Sequence, residues 1–368
     1  MKVAFLVAKL EQGGLCRVNA RIAHAIGRRA ARVDLVTVSG GSLAHDSLGT
    51  EAPSVVDLGG SSSLKSVFRI RRVLFSGDYD VIVVSQLFLG LVAIVARPRK
   101  SRTALVLVEH SSIEYWRRSR KIKDRIVYWI SVVWAHRADQ IVAVSVATRM
   151  EIESHFRKLD GRVRYLANPV LGEHEPVFTD WVRDASPRKG IIYVGRLSAE
   201  KCIDDIVRGF SLICDEVEDD LFIVGDGPLM NSLQQLVRTC RIENRVHFLG
   251  NVDDPVSRMR SARVLVLASK FEGLAIVLIE ALSQECGVVS TDCPNGPREV
   301  LLDGEFGRLC EVGDFHTLGR LMRDARFPSE LRAEIASHLS QFTIEKSAEG
   351  YFQLCVDVCS DRQRKFAS

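Results

Sequence analysis

The chain has 368 residues, 46% hydrophobic and 26% charged, a balance typical of a globular protein with two domains. The net charge of +4 does not indicate a general polyanion-binding protein. The charge is unevenly spread, because residues 1–170 hold 27 Lys and Arg against 14 Asp and Glu, whereas residues 171–368 hold 23 against 32. This asymmetry predicts that one side of the protein faces an anionic partner.

Cysteine usage and hydropathy predict a cytoplasmic protein. The nine cysteines are scattered and form no C-x-x-C pair, which favours reduced thiols. The N-terminal run MKVAFLVAKL is too short for a signal peptide. The longest apolar run, residues 81–96, is shorter than the roughly 20 residues of a membrane-spanning helix. We expect a buried strand and a short helix there, and no integral membrane segment.

Short apolar strands alternate with helical patterns along the whole chain. The first series is predicted at 3–8, 33–38, 81–85, 104–110, 140–145 and 163–167. The second series is predicted at 190–195, 221–225, 246–250, 264–269 and 287–292. Continuous apolar strands separated by helices are typical of parallel sheets covered on both faces. The sequence therefore predicts an α/β protein with two doubly wound, Rossmann-like domains.

A proline-containing segment separates the two series, at the place where the charge balance changes sign. We predict an N-terminal domain at 1–167, a linker at 168–189, a second domain at 190–345 and a C-terminal helix at 346–368.

Two adjacent glycines follow the first predicted strand, in the segment Gln12-Gly13-Gly14-Leu15. Glycines between a strand and a helix let the backbone approach a phosphate at the helix N-terminus. The segment lacks the G-x-G-x-x-G pattern of dinucleotide-binding proteins, so an ordinary tight turn explains it equally well.

Two cations follow the first strand of the second domain, Arg196 and Lys201 in VGRLSAEK. In an open parallel sheet this carboxyl edge faces the ligand crevice. Arg through its planar fork and Lys as a point charge could hold a diphosphate. A solvated surface pair is the alternative. The segment VGDGP at 224–228 predicts a turn into a helix and no catalytic role.

Two carboxylates, Glu272 and Glu280, flank an apolar segment in FEGLAIVLIEAL. In one continuous helix they would be offset by roughly 12 Å and turned by about 80°. Paired glycosidase carboxyls lie about 5–10 Å apart, so an acid/base pair fits poorly. We expect Glu272 in a loop, a helix start near 273–275 and free amides facing an anion. A nucleotide sugar has hydroxyls on both sides of such an anion. The alternative is a capping Glu272 and an unrelated Glu280.

These motifs resemble the GT-B retaining glycosyltransferases of family 4, over nearly the whole chain. Glu272 and Glu280 match the family's E-x7-E signature, and VGRLSAEK, STDCPNGPREVL and DGEFGRL follow in the family's order. NGPREVL resembles the branch that builds bacterial capsule, exopolysaccharide and lipopolysaccharide O-antigen. The resemblance implies a GT-B fold, with two Rossmann-like domains facing a central cleft and the C-terminal helix packing back on the N-terminal domain.

The resemblance also implies a role for each candidate residue. Glu272 would bind the hydroxyls of the donor sugar and Glu280 those of the ribose. His110, at the end of a strand, would lie near the donor sugar and act with Glu272 as a catalytic residue. By residue chemistry alone, His110 reads as a strand-end histidine with a structural hydrogen bond. The donor diphosphate would contact Arg196, Lys201, Gly14 and the backbone amides of Gly273, Leu274 and Ala275.

No metal and no cofactor beyond the donor is expected, because cations and helix amides can offset the charge of a leaving diphosphate. Three residues depart from the family pattern. Ala275 and Gly287 stand where proline is common, and Glu285 stands where glycine is usual. A Glu at 285 predicts a strained turn or an additional acidic group near the floor of the cleft.

Residues 114–130 read as one basic amphipathic helix, and six of the nine residues 117–125 are Lys or Arg. The segment also holds Tyr115, Trp116, Tyr128 and Trp129. Basic residues with interfacial aromatics suit an anionic membrane surface. A second basic loop is predicted at Arg97, Arg99, Lys100 and Arg102. The alternative is a solvated helix face whose aromatics pack inward. No nucleic-acid reader motif accompanies the charge, so no nucleic-acid partner is expected.

The sequence thus predicts a retaining glycosyltransferase. It would move a hexose or N-acetylhexosamine from a nucleotide sugar to a lipid-linked or polysaccharide acceptor. A UDP-sugar is the favoured donor. The acceptor typical of the branch is a saccharide on polyprenyl diphosphate, which places the enzyme peripherally on the inner face of the cytoplasmic membrane. Two alternatives remain open: a nucleotide-sugar epimerase on the same fold, and a non-catalytic sugar-nucleotide-binding partner in a polysaccharide assembly complex.

Overall fold

A computed structural model describes residues 1–10, 14–29, 32–40, 53–59, 63–76, 78–117, 122–156, 159, 161–172 and 188–367. The chain forms two compact units. The first combines Met1–Pro169 with Phe342–Ser368, and the second is Val170–Gln341. The first unit ends inside the predicted linker, most of which, at 173–187, lies outside the described residues.

The first unit contains a parallel sheet of seven described strands in the order β3-β2-β1-β4-β5-β6-β7. The winding direction changes between β1 and β4, which makes the carboxyl ends of these strands a topological switch point. The predictions missed β3, because its four residues are mostly exposed and lack a continuous apolar run. The strands are β1 (Lys2–Val7), β2 (Arg32–Thr37), β3 (Ser54–Asp57), β4 (Val81–Ser85), β5 (Ala104–Glu109), β6 (Gln140–Ala143) and β7 (Val163–Tyr165).

Helices pack against this sheet and complete its apolar core. They are α1 (Gly14–Gly27), α2 (Ser63–Leu74), α3 (Leu87–Ala96), α4 (Ile113–Arg117), α5 (Ile122–Ala135), α6 (Val146–His155) and the terminal α14 (Ile344–Ala367). The helix predicted at 114–130 falls on α4 and α5, and residues 118–121 lie outside the described part.

The terminal helix α14 belongs to the first unit. It packs against α1, β4 and β5. Ser347 Oγ donates a hydrogen bond to the carbonyl oxygen of Ala167 at 2.8 Å. Arg362 pairs with Asp139 at 3.2 Å and donates to the carbonyl oxygen of Ser101. Because Asp139 also pairs with Arg97, one partly buried charge network fixes the far end of α14.

The second unit contains a parallel sheet of six strands in the order β10-β9-β8-β11-β12-β13. The predictions missed β13, which has only three residues. The strands are β8 (Ile191–Val194), β9 (Leu221–Val224), β10 (Val246–Gly250), β11 (Val264–Leu267), β12 (Gly287–Thr291) and β13 (Arg308–Cys310). The helices are α7 (Ile203–Ser211), α8 (Met230–Thr239), α9 (Pro255–Ser261), α10 (Ile276–Ser283), α11 (Pro297–Val300), α12 (Phe315–Asp324) and α13 (Arg332–Leu339). Two doubly wound parallel sheets confirm the predicted fold class.

The turn at Glu285 is strained, as predicted. Its carboxylate, however, does not lie near the ligand-facing edge of the sheet, where it was expected. Glu285 has φ +55°, in the left-handed region that favours glycine. It precedes β12, so it lies at the amino edge of the sheet, opposite the carboxyl edge that bears Glu272. Its carboxylate accepts a hydrogen bond from Arg332 Nε at 2.6 Å and lies 3.8 Å from Arg188. The expectation of an acidic group near the ligand-facing edge was therefore wrong.

Two glycines allow α7 and α12 to pack closely. A Cβ on Gly209 would lie 2.7 Å from the carbonyl oxygen of Phe315, and one on Gly319 would lie 2.5 Å from that of Gly209. Backbone atoms occupy both positions, so the helices would have to move apart to admit a methyl group.

We predict that Gly209→Ala lowers the free energy of unfolding by about 1–3 kcal/mol, the usual cost of overpacking. Gly27→Ala is the control, because a Cβ there meets no atom within 4 Å. Thermal melting of both variants checks the prediction, and equal melting temperatures would contradict it.

Candidate functional site

Arg196 lies in a turn that the neighbouring strand supports closely. The amides of Gly195 and Leu197 donate to the carbonyl oxygens of Val224 and Asp226, each at 3.0 Å. A Cβ on Gly225 would lie only 2.0 Å from the carbonyl oxygen of Gly195. The VGDGP turn therefore supports the Arg196 turn through its backbone.

Arg196 is an exposed cation that is not neutralised within its unit. No hydrogen bond or ion pair joins its side chain to any residue that the structure describes. The buried hydroxyl of Tyr193 donates to the carbonyl oxygen of Arg196 at 3.0 Å and so fixes the backbone of the turn. The backbone at Arg196 is therefore fixed, and its guanidinium is available to an incoming anion.

Lys201 and Glu272 form a close ion pair at the carboxyl edge of the second sheet. Lys201 Nζ donates to Glu272 Oε1 at 2.6 Å, and Ser269 Oγ donates to the same oxygen at 2.6 Å. The Lys201 side chain is 24% exposed and that of Glu272 is 12% exposed. Ser269 is in turn fixed by Thr291 Oγ1, which donates to its carbonyl oxygen at 2.7 Å.

Lys201 keeps its charge in spite of its burial. Burial alone would lower the pKa of Lys201, but the charge of Glu272 and the hydrogen bond to it raise the pKa above its ordinary value. Oε1 of Glu272 accepts both protein hydrogen bonds, and no hydrogen bond from a described residue reaches Oε2. One carboxylate oxygen and the remaining ammonium protons are thus available to a ligand.

The segment after Glu272 presents free backbone amides. None of the amides of Gly273, Leu274 and Ala275 donates a hydrogen bond to a described residue. Ala275 has φ +56°, a left-handed angle just before α10. Proline cannot adopt this angle, because its ring holds φ near −65°. Alanine in place of the family's proline therefore permits a backbone that proline would exclude.

A second loop lies directly against these amides. A Cβ on Gly296 would lie 2.8 Å from the carbonyl carbon of Leu274 and 3.1 Å from the nitrogen of Ala275. The amide of Glu272 lies 3.4 Å from the carbonyl oxygen of Pro294. The NGP part of the predicted motif thus supports the shape of the 273–275 segment.

Glu280 is a carboxylate within the apolar helix α10. It is only 7% exposed, and its neighbours in the helix are buried. A buried carboxylate is costly unless polar groups face it. The second unit thus carries all these candidate groups in the segments that follow β8 and β11: Arg196, Lys201, Glu272, the 273–275 amides and Glu280.

His110 and Gly14 lie in the first unit. His110 follows β5, and its Nε2 is buried without a hydrogen-bond partner among the described residues. Burial lowers the pKa of His110 to about 3, so the ring is neutral at physiological pH. Gly14 is the first residue of α1, and the preceding Gln12 and Gly13 lie outside the described residues.

Several positioning groups were not predicted. Ser269 ends an apolar strand pattern and Tyr193 lies within one, so each reads as core. The buried Glu109 signals itself more clearly, as a carboxylate at the end of an otherwise apolar strand. Among the described residues, no group of three or more His, Cys, Asp or Glu could hold a metal ion.

Helix α5 carries an apolar stripe on the surface of the first unit. Five side chains are 40% to 68% exposed: Ile122, Ile126, Trp129, Ile130 and Val133. The predicted aromatics divide between surface and core, because Tyr128 is buried and Trp116 stacks on it at 5.3 Å. The side chain of Tyr115 lies outside the described part.

The prediction of a second basic loop was only partly correct. Arg97 is largely buried and pairs with Asp139 at 2.5 Å, so it is a structural residue, not a loop cation. Arg99, Lys100 and Arg102 are exposed. No helix in the described ranges is long and apolar enough to cross a membrane.

Two family models match the chain, one on each unit. The model described as Glycosyltransferase Family 4 matches residues 12–170, and that described as Glycosyl transferases group 1 matches residues 188–324. The fold and these matches define a glycosyltransferase of the GT-B class. The chain belongs to glycosyltransferase family 4.

Curated relatives differ in how much of their length matches. An uncharacterized glycosyltransferase of Methanocaldococcus jannaschii is 32% identical over 45% of this chain and 42% of its own length. The N-acetyl-alpha-D-glucosaminyl L-malate synthase of Bacillus anthracis is 32% identical over 47% and 46%. The chain thus spans less than half the length of these two relatives. A Campylobacter jejuni N-acetylgalactosaminyltransferase named for a diNAcBac-PP-undecaprenol acceptor is 26% identical over 97% and 99%.

Solved structures show the same fold at low identity. The lipopolysaccharide outer core galactosyltransferase WaaB has a TM-score of 0.70 at 20% identity and covers 95% of this chain and 98% of its own. Anabaena HepE in complex with UDP and glucose has a TM-score of 0.69 at 18% identity, over 100% and 99%.

We predict that the neutral His110 makes the folded protein sensitive to acid. The unfolded chain binds a proton at His110 below its ordinary pKa of about 6.5, whereas the folded chain resists until about 3. Lowering the pH from 7 to 4.5 therefore favours unfolding through this group by about 2–3 kcal/mol. His110→Gln should lose less stability than the wild type over this interval in denaturant titrations. Identical losses would contradict the assignment.

Proposed function

We propose that this chain is a retaining glycosyltransferase that moves a hexose or N-acetylhexosamine from a UDP-sugar to a saccharide on polyprenyl diphosphate. The observation that carries the proposal is the cluster at the carboxyl edge of the second sheet. There an unneutralised Arg196, the Lys201–Glu272 pair and the amides of 273–275 combine anion-binding groups with a carboxylate oxygen open to a hydroxyl.

The cationic groups suit the diphosphate of the donor. Arg196 would bind phosphate oxygens through its guanidinium. Lys201 would keep its hydrogen bond to Glu272 through one N–H and donate its other N–H groups to the diphosphate. The three free amides precede α10 and would donate hydrogen bonds to the same diphosphate. Because these groups stabilise the charge that develops on the leaving UDP, no metal ion is required.

The two carboxylates suit the hydroxyls at the two ends of the donor. Oε2 of Glu272 would accept a hydrogen bond from a hydroxyl of the transferred sugar. Glu280, further along α10, would accept from the ribose. The protein contacts on Oε1 fix the Glu272 carboxylate before the donor arrives, which lowers the entropic cost of orienting the sugar.

The chemistry proposed for the sugar is attack by the acceptor hydroxyl on the face from which UDP leaves. The bond from the anomeric carbon to the phosphate oxygen breaks as the acceptor oxygen bonds to that carbon, and the hydroxyl proton passes to the departing phosphate oxygen. This route retains the configuration at the anomeric carbon without an enzyme nucleophile. Neutral His110 would orient the donor sugar by a hydrogen bond through Nε2, which has no partner among the described residues. The backbone of Gly14 would contribute to binding the diphosphate.

The acceptor is proposed from the relatives. The Campylobacter jejuni enzyme that matches nearly the whole chain is named for an undecaprenyl-diphosphate saccharide, and a Salmonella relative is a lipopolysaccharide 1,6-galactosyltransferase. The solved HepE complex with UDP and glucose supports a UDP-sugar donor. A lipid-linked acceptor would require the protein to reach a membrane surface.

The stripe on α5 supports peripheral binding to the inner face of the cytoplasmic membrane. Exposed apolar side chains such as Ile126 and Trp129 can enter the headgroup region, while the exposed Lys123 and Arg125 on the same helix attract anionic lipid. A patch of this composition on one helix is typical of interfacial binding.

We predict that Glu272→Gln lowers kcat/KM by about 100-fold or more, because it removes the charge that holds Lys201 and orients the sugar. Glu218→Gln is the control, since the Glu218 side chain is 92% exposed. The assay is UDP release from UDP-Glc, UDP-Gal, UDP-GlcNAc or UDP-GalNAc with polyprenyl-diphosphate-linked saccharides.

Three results of this assay would count against the transferase. If none of the donor–acceptor pairs gave nucleotide release, the transferase would be contradicted. Interconversion of UDP-sugars without acceptor would instead indicate an epimerase. Full cellular function of the Glu272→Gln variant would indicate a non-catalytic partner.

We predict that binding to vesicles depends on α5. The double variant Ile126→Ser, Trp129→Ser and the double variant Lys123→Gln, Arg125→Gln should each reduce flotation with phosphatidylglycerol vesicles several-fold, because one removes apolar contact and the other removes charge. Arg238→Gln, Arg241→Gln is the control, since both residues are exposed in the second unit. Equal flotation of all variants would disprove a role of α5.

A further inference from the structure

Gln86 has a backbone conformation that is unusual for a residue with a side chain. It lies between β4 and α3 with φ +80° and ψ 129°. Its amide donates to the carbonyl oxygen of Val108 at 2.7 Å, and its carbonyl oxygen accepts from the amide of Gly90 at 3.0 Å. The surrounding backbone therefore holds Gln86 in a region that glycine would occupy without strain.

The side chain of Gln86 does not compensate for this strain. No hydrogen bond joins its amide group to any residue in the described ranges, and the side chain is half-buried. Glycine would adopt the same backbone without strain, and the Gln86 side chain makes no structural hydrogen bond that would explain its presence. Such residues persist mainly where the side chain contacts a ligand.

The position of Gln86 associates it with His110. β4 and β5 are adjacent and parallel, with Ser85 opposite Val108, so Gln86 and the β5 end lie at the same edge of the sheet. His110 follows β5 directly, and its buried Nε2 has no partner among the described residues. Two side-chain polar groups without protein partners therefore lie at neighbouring strand ends.

Glu109 connects the segment that carries Gln86 with the segment that carries His110. It is buried, and its Oε2 accepts a hydrogen bond from the amide of Leu87 at 3.2 Å, directly after Gln86. Its Oε1 accepts from the amide of Ser111 at 2.8 Å and from the hydroxyl of the same residue. Both oxygens of one carboxylate are thus committed to the two segments that carry Gln86 and His110.

We propose that Gln86 is a substrate-contacting residue whose side-chain amide hydrogen-bonds hydroxyls of the acceptor saccharide, and that Glu109 is the residue that positions it. The inference rests on the proposed function. A neutral amide, with one accepting oxygen and two N–H donors, suits sugar hydroxyls and not a diphosphate. The charged side chains that suit the donor diphosphate lie in the second unit, so we assign the neutral Gln86 side chain to the acceptor.

The test separates the side chain of Gln86 from its backbone. Gln86→Gly removes the amide and also relieves the strain, so the variant should melt about 2–4 °C higher than the wild type. With a donor–acceptor pair on which the wild type turns over, its kcat/KM for the acceptor should fall at least about tenfold, the loss of one good hydrogen-bonding group. The KM for the UDP-sugar should stay within about twofold of the wild type.

Arg241→Gly is the matched control. Arg241 also has a left-handed backbone, with φ +58°, but it is exposed in a turn after α8. It should melt higher than the wild type and keep the acceptor kinetics unchanged. Glu109→Gln should lower the acceptor kcat/KM as Gln86→Gly does, since it weakens one of the two connections. Glu109→Asp, which keeps a carboxyl group at this position, should restore part of that loss.

Each outcome decides the inference. A Gln86→Gly variant that is more stable and equally active would overturn it, because the strained side chain would then have no function. A variant that melts no higher than the wild type while Arg241→Gly does would remove the strain on which the inference rests. A wild type without turnover on any pair would overturn the proposed function and this inference with it. An active wild type with an unaffected variant would overturn this inference alone.

Discussion

The ion pair between Lys201 and Glu272 is the interaction on which the proposed donor site depends. Both groups are largely removed from water, and the nearby Glu272 carboxylate raises the pKa of Lys201 although burial alone would lower it. Ser269 and Lys201 share Oε1 and thereby fix the direction in which Oε2 points. Loss of either member would leave the other as a poorly solvated charge at this edge of the sheet.

Three residues with positive φ lie beside candidate site residues. Cys202, directly after Lys201, has φ +45°, and Ala275, directly before α10, has φ +56°. Gln86 in the first unit belongs to the same pattern. Glu285 differs, because it lies at the opposite edge of its sheet and two arginines face its carboxylate. Strain therefore occurs both beside candidate ligand-binding groups and in a structural turn.

The sequence predicted the fold class and the main cluster because both depend on local patterns. Apolar strands give the sheets, and Arg196, Lys201 and Glu272 are charged residues directly after such strands. The pairing of Lys201 with Glu272 could not be read from residues 71 positions apart. Short strands such as β3 and β13 lack enough residues for a pattern. Arg97 looked like a surface cation because its partner, Asp139, is distant in sequence.

The most direct test of the account is calorimetric binding of UDP and of a UDP-sugar to the wild type, Glu280→Gln and Glu272→Gln. The account assigns the ribose to Glu280 and the transferred sugar to Glu272. Glu280→Gln should weaken UDP binding about tenfold or more. Glu272→Gln should bind UDP as well as the wild type does, and lose the additional affinity for the UDP-sugar. Equal weakening of UDP by both variants, or by neither, would contradict the assignment.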